Sequence, residues 1–146
     1  MQLRPAIDAD VETLFDIRTS VQQNHLSREQ LTELGITPLT LTEALSQSPC
    51  AWIVEIDGVA AGFSMVDSET GEVFALFVRP EFEGRGVGKL LLQAAESKLF
   101  KSHDPIWLVT DKNEQVRANG FYQRLGWYLA EQVDDRDARY EKHQPS

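Results

Sequence analysis

The stretch EVFALFVRPEFEGRGVGKLLLQAAESKLFKS, residues 72–102, decides how this chain folds. It begins with a run of apolar residues from Val73 to Val78, and Pro80 ends that run. A short continuous apolar run is typical of a strand that is buried on both faces. A glycine-rich loop follows, and apolar residues then recur at helical spacing from Val87 to Leu99. The stretch therefore predicts a strand, a glycine loop and a helix of about four turns.

The loop carries glycine at three alternate positions, Gly84, Gly86 and Gly88. Because glycine has no Cβ atom, backbone N–H groups can approach a bulky anion there. The N-terminus of the following helix adds N–H donors and a partial positive charge. These features predict a phosphate site, and a tight strand-to-helix turn without a ligand is the alternative. Three positively charged side chains surround the loop in this otherwise acidic chain: Arg79, Arg85 and Lys89.

Two common phosphate-binding motifs do not fit the spacing of this loop. A P-loop requires Gly-x-x-x-x-Gly-Lys-Ser/Thr, but Glu83 stands at the first glycine position and Leu90 at the hydroxyl position. A dinucleotide fingerprint requires Gly-x-Gly-x-x-Gly, and Lys89 or Leu91 stands at its third glycine position. The spacing therefore argues against both a P-loop and a Rossmann site.

Two motifs together carry a resemblance to a known family. Glu83 to Gly88 resembles the Gln/Arg-x-x-Gly-x-Gly/Ala signature of the GNAT superfamily, the acetyl-coenzyme A dependent N-acetyltransferases. Residues 117–127, RANGFYQRLGW, resemble the downstream family motif, which has an Ala, then Phe-Tyr, then Leu-Gly-Phe/Trp. Gly126 also reads independently as a helix C-cap. The chain departs from the family at Glu83, where Gln or Arg is usual, and at Gln115, where Asn is frequent.

The resemblance implies that acetyl-coenzyme A is the co-substrate. In the family, the loop amides bind the pyrophosphate and the preceding strand lies beside the pantetheine arm. No cluster of His and Cys residues in the sequence suggests a metal site. The coenzyme-binding residues implied by the resemblance are Phe77, Val78, Glu83, Gly84, Arg85, Gly86, Val87, Gly88, Lys89, Gln115 and Tyr122.

The same resemblance implies two catalytic residues. Tyr122 matches the family tyrosine that protonates the departing thiolate, and a core aromatic is the alternative. Glu72 precedes Gly86 by fourteen residues, the offset of the general-base glutamate in one branch of the family. The backbone N–H of Val78 or its neighbour would meet the oxyanion if the strand is bulged there. The resemblance suggests direct attack in a ternary complex, so the lone Cys50 is interpreted as a buried apolar group rather than a nucleophile.

Segments outside the motifs complete an α+β fold. A first strand near Gln2 to Arg4 precedes a helix that Asp8 can cap. Two more helices are predicted. One begins with a capping box at Ser27 to Gln30 and ends at Gly35, and the other begins with a second cap at Thr40 with Glu43. Apolar runs joined at Asp57-Gly58 predict a hairpin, and Thr70-Gly71 turns it into the central strand. In the family, the helical region 10–48 shapes the acceptor pocket, which makes Asn24 and His25 candidate contacts.

The second half of the chain supplies the parallel pair. Ile106 to Val109 follows the loop helix, and a strand, helix, strand order predicts two parallel strands, which the family splays apart. A helix from about Glu114 to Leu125 and a closing hairpin, Trp127 to Val133 with Ala138 to Lys142, follow. We therefore expect one GNAT domain, residues 1–146: a mostly antiparallel sheet of six or seven strands, a splayed parallel pair in its middle, and about four flanking helices.

Composition limits the function classes. The chain has 14 Lys and Arg against 23 Asp and Glu, a net charge of −9, which disfavours nucleic acid and anionic membrane surfaces as partners. The longest apolar run is too short to span a membrane. One cysteine excludes an internal disulfide and is consistent with a cytoplasmic protein. A homodimer is compatible with the sequence.

The interpretation that fits these observations is an N-acetyltransferase acting on an amine of a small molecule or peptide. A degenerate GNAT domain that binds acyl-coenzyme A as a sensor or interaction module is the alternative, and Glu83 and Gln115 keep it open. A nucleotide-binding protein without transferase activity is a third interpretation.

Overall fold

The computed structural model describes residues 1–21, 26–47, 50–111, 115–135 and 137–145, with backbone alone at 47, 111 and 115–119. Short 3₁₀ turns lie at Asp8–Asp10 and Pro80–Phe82. The strands and helices, in chain order, are β1 (Gln2–Pro5), α1 (Val11–Ser20), α2 (Arg28–Glu33), α3 (Pro38–Gln47), β2 (Ala51–Ile56), β3 (Val59–Asp67), β4 (Glu72–Val78), α4 (Val87–Leu99), β5 (Ile106–Asp111), α5 (Gln115–Arg124), β6 (Tyr128–Gln132) and β7 (Asp137–Lys142).

The strands form one sheet of seven in the order β1-β2-β3-β4-β5-β7-β6. Every neighbouring pair is antiparallel except β4 and β5, which are parallel. The predicted mixed fold, with a mostly antiparallel sheet and a parallel pair in its middle, is therefore confirmed, with five α-helices in the described residues. The Asp57-Gly58 hairpin is present, and both residues have positive φ angles, 52° and 79°, as a tight turn requires.

The parallel strands β4 and β5 meet at a single register pair, Glu72 opposite Trp107. The Trp107 backbone N–H donates to the Gly71 carbonyl oxygen at 3.1 Å, and its indole N–H donates to the Thr70 carbonyl oxygen at 3.0 Å. These bonds hold the two strands together where β4 begins. From there towards Val78 the register pairing stops, so a gap opens between the strands.

Helices cover the two faces of the sheet differently. Ser64 on β3 donates its hydroxyl to the Leu91 carbonyl oxygen of α4 at 3.1 Å, which places α4 on one face. Phe63 must point to the other face because side chains alternate along a strand. There it contacts the Phe77 ring, with centroids 5.7 Å apart, and the guanidinium of Arg18 on α1 lies 4.3 Å above that ring. Helices α1 and α4 therefore sandwich the central strands.

The prediction that the central strand is buried on both faces was wrong. Val73 is buried, but Phe74 is 48% exposed and the rest of β4 is half-buried. Met65 pairs with Ala75 and Val66 with Val73, so Phe74 is an extra residue in β4 and forms a β-bulge. The bulge turns Phe74 outwards, and the divergence of β5 leaves the rest of the strand without a neighbour on that side.

Helix α2 begins as the sequence predicts. Ser27 and Gln30 exchange side-chain to backbone hydrogen bonds of 3.1 and 2.9 Å, and Gly35 follows the helix with a φ of 82°. The cap predicted at Thr40 with Glu43 was wrong, because Thr37 and Thr40 make the reciprocal bonds one turn earlier, at 2.9 and 3.2 Å. Pro38 takes the first helical position, which suits proline.

The prediction that Asp8 caps the first helix was also wrong. Asp8 lies in a 3₁₀ turn, and Asp10 precedes α1. The Asp10 carboxylate accepts a hydrogen bond from the Ile7 backbone N–H at 2.8 Å and pairs with the Arg4 guanidinium at 2.8 Å. The same guanidinium also contacts Glu55. These bonds explain why Asp10 is only 8% exposed. Within the described part of the chain, no helix is long and apolar enough to cross a membrane.

Candidate functional site

A cleft of about 840 Å³ lies at the open end of the gap, between the end of β4, the start of α4 and α5. The glycine loop, residues 83–88, and the downstream motif, residues 117–127, both reach it. The residues suggested by the sequence that line the cleft are Phe77, Val78, Glu83, Gly84, Gly86, Val87, Gly88, Lys89 and Tyr122.

The loop presents bare backbone to the cleft. Gly84 and Gly86 have left-handed φ angles of 78° and 85°, and a Cβ atom at either would meet no atom within 4 Å. Gly86 is the N-cap of α4 and has no side chain with which to cap it, and the first helical bond runs from the Leu90 N–H to the Gly86 carbonyl oxygen at 3.2 Å. The backbone N–H groups of the first turn, from Val87 to Lys89, therefore have no intrahelical acceptor.

Gly88 serves a different purpose from the other two glycines. A Cβ atom there would lie 3.4 Å from Cζ of Phe121 and 3.9 Å from Cγ2 of Val78. The missing side chain thus lets α4 approach α5 and the end of β4 closely. Conformational freedom explains Gly84 and Gly86, whereas close packing explains Gly88.

The charged side chains around the loop do not all face the cleft. Lys89 lines it, and so does Glu83, an exposed carboxylate at the start of the loop. Arg85 does not line the cleft, but its guanidinium lies 5.6 Å from the ring of Phe82, which does. Arg79 donates to the Ala60 carbonyl oxygen at 2.8 Å, so its side chain is directed back onto β3.

The end of β4 directs a backbone amide towards the gap. The Arg79 N–H donates to the Ala61 carbonyl oxygen at 2.8 Å, and Val78 lies opposite Gly62. Because hydrogen-bonded and non-hydrogen-bonded pairs alternate along an antiparallel ladder, Val78 belongs to a non-hydrogen-bonded pair. Its N–H therefore points away from β3, towards the side where β5 has diverged. The bulge that was suggested near Val78 lies instead at Phe74.

Tyr122 is held on α5 by three aromatic neighbours. Its ring centroid lies 5.2 Å from Phe121, 5.6 Å from Tyr140 and 6.2 Å from Trp127. The Trp127 backbone N–H donates to the Tyr122 carbonyl oxygen at 3.0 Å, and Gly126 has a φ of 93°. This is the C-cap that the sequence predicts after α5. One side of the Tyr122 ring packs in the core while the residue lines the cleft.

Glu72 lies away from the cleft lining, at the closed end of the gap. Burial raises the pKa of its carboxyl group, nearby Asp67 raises the pKa further, and Arg139 opposes both. The structure therefore places Tyr122 in the cleft and Glu72 at the base of the same gap.

Several residues that the sequence singled out are not among the described residues that line the cleft. Gln115 begins α5, but its side chain is outside the description, and Asn24 and His25 lie outside the described residues. Cys50 is buried, its thiol lies 3.5 Å from the Ala44 carbonyl oxygen, and burial raises its pKa. Among the described residues there is no group of His, Cys, Asp and Glu that could hold a metal ion.

Sequence reasoning missed several residues of the cleft wall. Phe121, Arg124 and Leu125 belong to the downstream motif, and Leu125 follows Tyr122 by three residues, a spacing that places both on one face of the helix. Nothing in the sequence pattern points to Val21, because it reaches the cleft from the end of α1. The missed residues are Val21, Leu76, Pro80, Phe82, Phe121, Arg124 and Leu125.

Comparison with solved structures shows the same fold over the whole described sheet. PaiA N-acetyltransferase from Thermoplasma acidophilum, solved in complex with coenzyme A, matches with a TM-score of 0.78 and 20% identity over 98% of this chain and 98% of its own. The ribosomal-protein-S18-alanine N-acetyltransferase from Escherichia coli matches with a TM-score of 0.74 and 16% identity over 97% and 92% of the two chains. Ard1 from Thermoplasma volcanium matches with a TM-score of 0.74 and 14% identity over 99% and 98%.

The family comparison covers both motifs at once. The family model described as Acetyltransferase (GNAT) family matches residues 11–127, which include the glycine loop and the segment around Tyr122. The match extends over most of the 146 residues. The seven-stranded sheet, its splayed parallel pair and the cleft beside the loop agree with that assignment. The chain belongs to the GNAT acetyltransferase family.

Proposed function

We propose that the protein transfers an acetyl group from acetyl-coenzyme A to an amine of a small molecule or peptide. One observation carries the proposal: the glycine loop and Tyr122 line the same cleft. A phosphate-binding element and a proton donor are two of the parts that this reaction needs from the protein. We further propose that residues 1–146 act as one domain, since β1, β6 and β7, outside the family match, complete the same sheet.

The loop fits the pyrophosphate of the coenzyme. The amides of Val87, Gly88 and Lys89 point out of the helix end, where the helix dipole favours negative charge. The Lys89 side chain adds a positive charge, and a Cβ atom at Gly84 or Gly86 would stand in open space that a phosphate can use. Phe77 and Val78 offer an apolar strand end for the pantetheine arm.

The chain supplies the remaining groups for acyl transfer. When bound, the coenzyme supplies an activated acetyl thioester. The Val78 N–H, which points into the gap, would stabilise negative charge on the acetyl oxygen. The Tyr122 hydroxyl would give its proton to the thiolate sulfur as the carbon–sulfur bond breaks. Glu72 is not among the residues that line the cleft, so it would take the amine proton through water.

The acceptor is an amine because the family transfers acyl groups to nitrogen. One structural neighbour is named for the alanine of ribosomal protein S18, so peptide amines belong among the candidates along with small molecules. The net charge of −9 favours a cationic acceptor. The alternative, a binding module without turnover, depends on Glu83 and Gln115, whereas Tyr122 in the cleft favours the enzyme.

The test is a screen of the purified protein with acetyl-coenzyme A against a panel of amines and peptides, following release of free thiol. We expect amine-dependent release with at least one acceptor class. We also expect acetyl-coenzyme A, and not NAD, to raise the melting temperature, with a shift that grows with the logarithm of its concentration above the dissociation constant. A thermal shift without release on any amine would favour the binding module, and a shift with NAD alone would reject the proposal.

A further inference from the structure

A buried carboxylate lies on α4, three turns after the glycine loop. Glu96 is only 9% exposed. One oxygen, Oε1, accepts from the Lys142 ammonium on β7 at 2.6 Å, and the other, Oε2, accepts from the Trp127 indole N–H at 3.1 Å. A buried charge is costly unless it is paired and hydrogen-bonded. Glu96 meets both conditions, through one partner on β7 and another just after α5.

Trp127 connects this carboxylate to the cleft. Its indole ring stands edge-on to the Tyr122 ring, with centroids 6.2 Å apart, and its backbone N–H donates to the Tyr122 carbonyl oxygen at 3.0 Å. Trp127 is itself only 2% exposed, so it cannot move without disturbing the core. The position of the indole therefore limits where the Tyr122 ring can lie.

We propose that Glu96 is a positioning residue, which fixes Trp127 and through it holds Tyr122 at a set distance from the glycine loop. The inference rests on the proposed function. Helix α4 carries the loop at its N-terminus and Glu96 in its last two turns, so one rigid element links the coenzyme site to the support of the proton donor. Such a link matters because a displacement of about 1 Å can reduce turnover roughly 10²-fold.

The critical variants test a competition between the Lys142 ammonium and the Trp127 indole N–H for the one side-chain oxygen that glutamine offers at position 96. In Glu96→Gln the amide keeps a single acceptor, and the Lys142 ammonium competes with the indole N–H for it. We expect turnover to fall about tenfold or more while the affinity for acetyl-coenzyme A stays unchanged. In Glu96→Gln/Lys142→Met the competitor is gone, the amide oxygen can accept the indole N–H again, and no buried charge is left unpaired. Turnover should then return close to the wild-type rate.

A matched control separates positioning from stability. Arg4 on β1 pairs with the buried Asp10, which is 8% exposed, at the opposite edge of the sheet. Arg4→Met leaves that buried carboxylate without this partner and should lower the melting temperature without lowering turnover. In a Tyr122→Phe background, Glu96→Gln should cause no additional loss, because the residue being positioned has already lost its hydroxyl. Equal loss in both backgrounds, or the same loss in Arg4→Met, would overturn the inference.

Two further measurements test the inference if Glu96→Gln does not fold or if the wild-type protein shows no catalytic turnover. If Glu96→Gln alone fails to fold, Glu96→Gln/Lys142→Met is compared with Glu96→Leu/Lys142→Met, which lacks the acceptor, and equal turnover would overturn the inference. The Tyr122 ring proton resonances, which the neighbouring aromatic rings shift, should move in Glu96→Gln and return in the double variant. Unchanged resonances would reject the inference even if the proposed function also fails, whereas absent wild-type turnover rejects the proposed function alone.

Discussion

Glu72 lies opposite Trp107 in the one register pair that joins the parallel strands β4 and β5 among the described residues. The pair closes one end of the gap between the strands. At the other end, Val78 and the glycine loop face Tyr122 across the cleft. The two residues suggested for acid and base catalysis therefore lie at different depths of one opening, and this separation determines what each variant should do.

Tyr122→Phe should lower turnover by roughly 10² to 10⁴, because the usual contribution of a positioned acid is lost. The affinity for acetyl-coenzyme A should stay the same, since the ring and its aromatic contacts remain. Steady-state rates and calorimetric titration measure the two effects. A smaller loss would mean that water protonates the thiolate.

Tyr140→Phe is the matched control for that variant. The Tyr140 ring lies 5.6 Å from that of Tyr122, its side chain is fully buried, and its hydroxyl has no hydrogen-bond partner in the described part of the chain. An unsatisfied buried hydroxyl costs roughly 1 to 3 kcal/mol, so its removal should leave turnover unchanged and the melting temperature equal or higher. A loss of turnover as large as that of Tyr122→Phe would place the proton donor elsewhere.

Gly86→Ala should weaken binding of acetyl-coenzyme A, because a methyl group would enter the space in front of the loop amides. The left-handed backbone at this position also costs an L-residue about 1 to 2 kcal/mol. Gly35 has nearly the same φ, 82° against 85°, and equally open surroundings. Gly35→Ala should therefore match the loss of stability without the loss of affinity. Equal affinities in the two variants, by calorimetry, would remove the loop from the binding site.

Glu72→Gln tests both stability and base catalysis. Because burial raises the pKa of Glu72, the folded state binds its proton more tightly than the unfolded state, so this carboxyl costs stability as pH rises above its ordinary pKa of about 4.3. The variant should match the wild type in acid and melt at a higher temperature near neutral pH. Its turnover should fall most where the amine is protonated and recover at high pH. A uniform small loss at every pH would indicate a structural role.

Glu83→Gln should tighten coenzyme binding, because an exposed carboxylate beside a phosphate site repels the ligand. The gain should be modest and shrink with added salt, as expected for exposed charges. Glu81→Gln, at an exposed position of the nearby 3₁₀ turn outside the cleft lining, changes the same charge and should have a smaller effect. Weaker binding in Glu83→Gln would show that the carboxylate makes a favourable contact.

Local patterns predicted much of this fold. The Asp57-Gly58 turn, the capping box at Ser27 and the glycine after α5 each depend on residues close in sequence, and each appears where it was expected. The caps at Asp8 and Thr40 were placed wrongly, because competing hydroxyl and carboxylate side chains lie within a few residues of each other. At the first helix, the ion pair of Arg4 with Asp10 decides between them.

Features that depend on contacts between distant parts of the chain could not be predicted from the sequence. The apolar run of β4 does not reveal that Phe74 forms a bulge, since the bulge arises from the register with β3. Val21 reaches the cleft through the packing of α1, which no spacing rule describes. The bond between Glu96 and Trp127 joins residues 31 positions apart, and its partners look like ordinary surface and core positions in the sequence.

The most direct test of acetyl transfer follows the acetyl group itself. Wild-type protein is mixed with acetyl-coenzyme A carrying an isotopic label in the acetyl group and with the amine panel, and mass spectrometry locates the label. We expect the label to appear on an amine at the same rate as free thiol is released, with none on the protein. Label retained on Cys50 would contradict direct attack, and label remaining on coenzyme A with every amine would contradict acetyl transfer altogether.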